Sequence, residues 1–178
     1  MNTIKLIEFR RCHKLEKLAS ASSITNYDGS LFVIGDSSCH LWQIDGRGEV
    51  FSYPLSEDAC LEDEPLAKKV KPDFEGMVFD VDRRQLYLLP SGSRKNRFQG
   101  VCLDIETIPA NLTPVDVKSL YKRVKKQADI KSKDLNIEGG GKISDGRWFL
   151  INRGNGPSQK NLCIELEGDR LMNAEPIN

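Results

Sequence analysis

Three segments of the chain repeat one layout, and this repetition restricts the possible folds more than any other feature. The first passes through Ser22-Ser23-Ile24, a turn at Asp28-Gly29, an apolar run Leu31-Phe32-Val33-Ile34, a polar loop, and His40-Leu41-Trp42-Gln43-Ile44-Asp45. The second passes through Asp73-Phe74-Glu75-Gly76-Met77, a turn near Asp82-Arg83, Leu86-Tyr87-Leu88-Leu89, a polar loop, and Gly100-Val101-Cys102-Leu103-Asp104. The third passes through Asn136-Ile137-Glu138-Gly139, a turn at Asp145-Gly146, Trp148-Phe149-Leu150-Ile151, a polar loop, and Asn161-Leu162-Cys163-Ile164-Glu165. Corresponding runs recur at about 60-residue intervals, the mark of a repeat architecture.

Each unit reads as a short strand, a tight turn, a fully apolar strand, a loop and an alternating strand. Asp-Gly turns between apolar runs are strong hairpin signals. In the first unit Asp45-Gly46-Arg47-Gly48 leads into Glu49-Val50-Phe51-Ser52-Tyr53, a fourth strand. Four antiparallel strands repeated radially are the blades of a β-propeller. The expected fold is therefore all-β, with three propeller-type blades near residues 20–55, 73–112 and 134–170 of a single domain spanning 1–178. Ile4-Lys5-Leu6-Ile7-Glu8-Phe9 alternates and is expected to add a strand.

Two connections differ in chemistry. Residues 56–72 run from acidic (Glu57, Asp58, Glu62, Asp63, Glu64) to basic (Lys68, Lys69, Lys71), which reads as a solvated inter-blade loop. A helix is expected over 114–127, with Thr113 as N-cap, Pro114 in the first turn and Asp116 at the positive end. Val117, Leu120, Tyr121 and Val124 form its apolar stripe, and lysines cover the other faces. Propellers close with four to eight blades, so three imply a longer ring or a partner, either another protein or a second copy that makes six.

Composition narrows the function classes. The 178 residues carry 26 Lys+Arg and 26 Asp+Glu, which excludes nucleic-acid or membrane binding through bulk charge. Apolar runs fall short of the roughly 18 residues of a membrane span. The start Met1-Asn2-Thr3-Ile4-Lys5 is not that of a signal peptide. Cys12, Cys39, Cys60, Cys102 and Cys163 are odd in number and scattered, which suits reduced thiols in the cytoplasm.

Lys71-Pro72-Asp73-Phe74-Glu75-Gly76-Met77, and Asp134-Leu135-Asn136-Ile137-Glu138-Gly139-Gly140 followed by Trp148-Phe149-Leu150-Ile151-Asn152-Arg153-Gly154-Asn155, resemble segments of the phytase-like and SdiA-regulated-type bacterial β-propellers. The resemblance covers roughly residues 20–166 and implies five or six blades, more than are visible here. It also implies that Glu75 and Glu138 stand at one end of a central channel, where Asp73, Asn136 and the two glutamates would hold Ca²⁺. Calcium takes six to eight oxygen ligands, and the first unit offers only Ser22 and Ser23 at this place. The alternative is structural: a Glu before Gly that accepts backbone N–H bonds recurs because the blade recurs.

The loops after the three apolar strands should emerge at one rim. Arg94 and Arg97 in Ser91–Arg97, and Arg153, Asn155 and Lys160 in Asn152–Asn161, could grip a small anionic ligand, Arg through its bidentate fork; polar loops with no ligand are the plainer reading. Gly-x-Ser-x-Gly, Gly-x-Gly-x-x-Gly and P-loop patterns are missing, and His13 and His40 are the only histidines. The sequence thus points first to a binding or scaffold module. The alternative is a Ca²⁺-dependent hydrolase of a phosphate or carboxylic ester.

Overall fold

The computed structural model describes residues 12, 15, 18–55, 65–108, 111–143 and 146–177. The Ile4–Phe9 strand, the acidic part of the 56–72 connection, His13, Cys60 and Asp145 lie outside the described residues.

Twelve strands form three four-stranded antiparallel sheets. The first holds β1 (Ala21–Tyr27), β2 (Ser30–Gly35), β3 (His40–Ile44) and β4 (Val50–Pro54). The second holds β5 (Phe74–Asp80), β6 (Gln85–Pro90), β7 (Gln99–Asp104) and β8 (Leu112–Asp116). The third holds β9 (Ile137–Lys142), β10 (Arg147–Asn152), β11 (Leu162–Glu167) and the short β12 (Glu175–Pro176). Strands pair in chain order within each sheet, and β5 packs between β1 and β9. These are three propeller-type blades side by side, with β1, β5 and β9 innermost.

The apolar runs read from sequence are β2, β6 and β10. In the middle blade β6 is buried on both faces, from Leu86 to Pro90. In the third blade Trp148 and Leu150 are buried while Ile151 is 38% exposed. One face of β10 therefore packs on its neighbour and the other does not.

Two apolar layers glue the blades. Phe32, Ile34 and Leu41 of the first blade meet Phe74, Met77, Leu86 and Leu88 of the second. Val78, Tyr87 and Leu89 meet Ile137, Trp148, Leu150, Ile164 and Leu166 of the third. Burying each such side chain contributes about 1.5–3 kcal/mol. The innermost strands touch directly, since a Cβ on Gly76 would stand 3.3 Å from Gly139 Cα.

Helix α1 (Lys118–Gln127) starts four residues later than expected. Residues 112–116 pair with β7 instead, Val101 facing Pro114. Pro114 stands on the edge strand β8, where its missing N–H breaks no ladder. Asp116 still serves the helix, accepting the Lys118 N–H at 2.9 Å. The stripe Val117, Leu120, Tyr121 and Val124 is fully buried against the second and third blades.

Candidate binding site at the mouth of a concavity

The three inner strands share an irregularity. The pairing register slips at Ser22 in β1, at Glu75 in β5 and at Glu138 in β9. A bulge at this position re-aims the extra residue's side chain and ends regular pairing. The two glutamates are thus the corresponding bulged residues of neighbouring blades. The first blade carries a serine there, which donates to Phe74 O at 2.6 Å and ties β1 to β5.

The residue before β5 is Asp73, buried and held at φ +60°, which few non-glycine residues adopt. Its carboxylate is a hub. Lys71 Nζ lies 2.8 Å from one oxygen and Arg97 Nη1 2.7 Å from the other, and Ser91 Oγ donates to the same carboxylate. Lys71 also bridges to Asp36, and Asp73 N donates to Asp36 O at 3.1 Å, so the hub joins the first two blades. Burial alone would raise the Asp36 carboxyl, but the Lys71 ammonium and Ser37 hydroxyl outweigh it and hold it below its usual range. The same pairing raises Lys71 against its own burial. Arg97 is 6% exposed; Nη1 also donates to Ser93 Oγ at 2.8 Å, while Nε is buried with no partner among the described residues.

In the third blade, Asn136 Nδ2 donates to Glu138, and Arg153 Nη1 sits 3.3 Å from the same carboxylate. Asn152, 1% exposed, fastens this part of the rim. It accepts the Asn136 N–H at 2.8 Å and donates to Asp134 O and Lys160 O, each at 3.2 Å. Asp134 accepts the Ser158 N–H at 2.7 Å, which folds the Arg153 loop over the mouth and keeps the Asp134 carboxyl below its usual range.

The result is an open concavity of about 380 Å³ in which eight of the nine expected site residues line one wall or another: Asp73, Glu75, Arg94, Arg97, Asn136, Glu138, Arg153 and Asn155. Lys160 is apart from them, donating to Asp129 O at 3.0 Å. Lys68, Lys71 and Lys133, which the sequence did not single out for the site, complete the cationic lining. The basic end of the 56–72 connection is therefore not wholly solvated: Lys71 is only 12% exposed and carries the Asp36–Asp73 bridge. Its role is invisible in sequence because its partners come from two different blades. Asp36 was nearer to reach, since Asp36-Ser37-Ser38 corresponds to Ser91-Gly92-Ser93 in the repeat.

Glu75 carries the largest carboxyl perturbation of the site. Burial, then the neighbouring Glu138 and Asp73 carboxylates, push it up to about 7, and Lys71 only partly offsets them. It can therefore hold or release a proton near neutrality. The mouth as a whole has six cationic side chains against three carboxylates, and Lys68, Arg94 and Lys133 have no carboxylate within ion-pair range among the described residues.

A model of a family of unknown function, DUF6929, matches residues 17–176, and the chain belongs to that family. No curated protein matches it. Among solved structures it resembles the nidogen/laminin complex, with TM-score 0.52 and 9% identity, covering 92% of this chain and 48% of that one. It also resembles a virginiamycin B lyase from Staphylococcus aureus with quinupristin, at TM-score 0.50 and 10% identity, covering 88% and 44%. The chain thus spans about half the length of these structures. At such identities the likeness shows the fold alone, which is β-propeller-like.

Proposed function

We propose that this member of a family without assigned function is a propeller-type binding module, and that its ligand is an anion seated in the mouth of this concavity. The observation that carries this reading is the excess of cationic side chains over carboxylates around one concavity built from separate blades. Arg94 and Arg153 supply exposed guanidinium forks, while Asp73, Lys71, Arg97 and Asn152 hold the surrounding loops in place. The four cysteines among the described residues are free, which fits a reducing compartment such as the cytoplasm.

A second reading follows from the carboxylates. Ligand oxygens of Asp36, Asp73 and Glu75 all lie within 4.8 Å of one another, a spacing suited to a cation. The phytase-like and SdiA-regulated-type resemblance implies a calcium site of Asp73, Glu75, Asn136 and Glu138, to which this spacing would add Asp36. Calcium there would polarise a phosphoryl or ester oxygen. Against it, the Lys71 ammonium already bridges Asp36 and Asp73, and Arg97 neutralises Asp73 again. A divalent ion has to displace or share that positive charge.

Thermal melts separate the two. Phosphate, sulfate and citrate are added to wild type and to the Arg94→Ala/Arg153→Ala variant, and Ca²⁺ or chelator to wild type and Glu138→Gln. Saturation at about 100 times the dissociation constant stabilises a fold by about 2.7 kcal/mol. The binding-module reading expects an anion-dependent rise that the double variant lacks. A calcium-dependent rise lost in Glu138→Gln, with no response to anions, replaces it with the metal reading.

A further inference from the structure

Exposed cations gather at one end of the blades of this neutral chain. Lys68, Lys69, Arg94, Lys95, Lys133 and Arg153 are exposed on the connections that meet at the mouth. The turns at the opposite end are mixed: Asp28, Asp45, Glu49, Asp104, Glu106 and Asp169 stand among Arg47, Arg83, Arg84, Arg147 and Arg170, with Arg83 paired to Asp169 and Arg84 to Glu106. Lys69 and Lys95 lie beyond the lining of the concavity, so the positive field is wider than a small ion needs. The floor is different: Glu75 and Glu138 are half-buried acceptors at the two bulges, and Asp73 is buried beneath.

A ligand matching this arrangement has acidic groups for the rim and N–H donors for the floor, and it extends across several loops. A polypeptide has all three. A nucleic acid strand lacks a good match: its continuous phosphates would face the Glu75–Glu138 floor, and among the described residues no exposed aromatic stands on this rim to stack a base. Resting on the reading of the mouth as the ligand site, we infer that the partner is an acidic peptide segment of another protein. Its Asp or Glu side chains lie on Arg94, Arg153, Lys68 and Lys133, and its backbone N–H groups point to Glu75 and Glu138. Such an interface is electrostatic, with fast association that salt slows.

The test is fluorescence anisotropy of a labelled twelve-residue Asp/Glu-rich peptide, its Asn/Gln counterpart, and an oligothymidylate of the same length. Variants are Arg94→Glu, Lys133→Glu and, as a control on the helix face, Lys122→Glu/Lys126→Glu. The expected result is binding of the acidic peptide alone. Each mouth variant weakens it roughly fivefold, the size of a reversed exposed contact, and the helix control leaves it unchanged. Equal loss in the helix control would show unspecific attraction and overturn the proposal, as would tighter binding of the oligothymidylate. If phosphate stabilises the wild type through Arg94 and Arg153 while the peptide fails to bind, the peptide inference falls and the anion site stands. Peptide binding indifferent to both mouth variants removes the mouth from the interface altogether.

Discussion

At the scale of single residues the decisive group is Glu75. Its carboxyl titrates at about 7 in the fold against 4.5 for an ordinary glutamate, because it is half-buried and faces Glu138 and Asp73. The folded state therefore keeps a proton that the unfolded chain gives up. Stability from this group is complete below about pH 4.5 and is lost as pH rises towards 7. Glu75→Gln removes the titration without changing shape. The variant should melt close to wild type at pH 5 and above it at pH 8, read by calorimetry across the range. A constant offset between the two curves would mean that Glu75 is ionised throughout. Occupation of the mouth by an anion adds another negative charge beside Glu75, so binding is expected to take up a proton and to weaken from pH 6 to pH 8. Isothermal titration in two buffers of different ionisation enthalpy measures that uptake.

At the scale of elements the mouth depends on how the blades' loops are pinned. Asn152, at the end of β10, makes four hydrogen bonds that connect the entrance of β9 to the loop carrying Arg153. Asn152→Ala strands the Asn136 N–H and three carbonyls, and is expected to cost about 2–3 kcal/mol in chemical denaturation. Gly92 turns the Arg94 loop at φ +70°, with Tyr121 Cδ2 only 2.6 Å from where a Cβ would be. Gly92→Ala adds left-handed strain to a clash with a buried ring, and a loss of about 2–4 kcal/mol is expected. Much at this scale was readable from residues: the apolar runs of β2, β6 and β10, and the Val117–Val124 stripe, follow hydrophobic spacing. The start of α1 was not, because Thr113 and Pro114 suit a helix start and an edge strand alike, and pairing with β7 settles it. The recurrence of Glu-Gly located both bulged glutamates. Spacing alone could not reveal that Asn136 bonds Glu138 while Asp73 turns to Lys71 and Arg97, since the difference arises from contacts across blades.

At the scale of the whole molecule, three blades place chemistry at their ends. The two inter-blade apolar layers fix β1, β5 and β9 beside one another, and this juxtaposition brings the bulged glutamates within reach of loops far apart in sequence. Exposed cations gather at the mouth, whereas the opposite turns mix carboxylates with arginines that pair with them. The central question for this molecule is whether an anion binds at the mouth. The most direct measurement is a phosphate titration of ¹⁵N-labelled protein, following backbone amides at residues 91–97, 136–139 and 152–156 and, as reference, at Asp28-Gly29. Saturable shifts confined to the mouth segments, absent in Arg94→Ala/Arg153→Ala, are the predicted result. Unmoved mouth amides at saturating phosphate, or equal shifts at both ends, would contradict it.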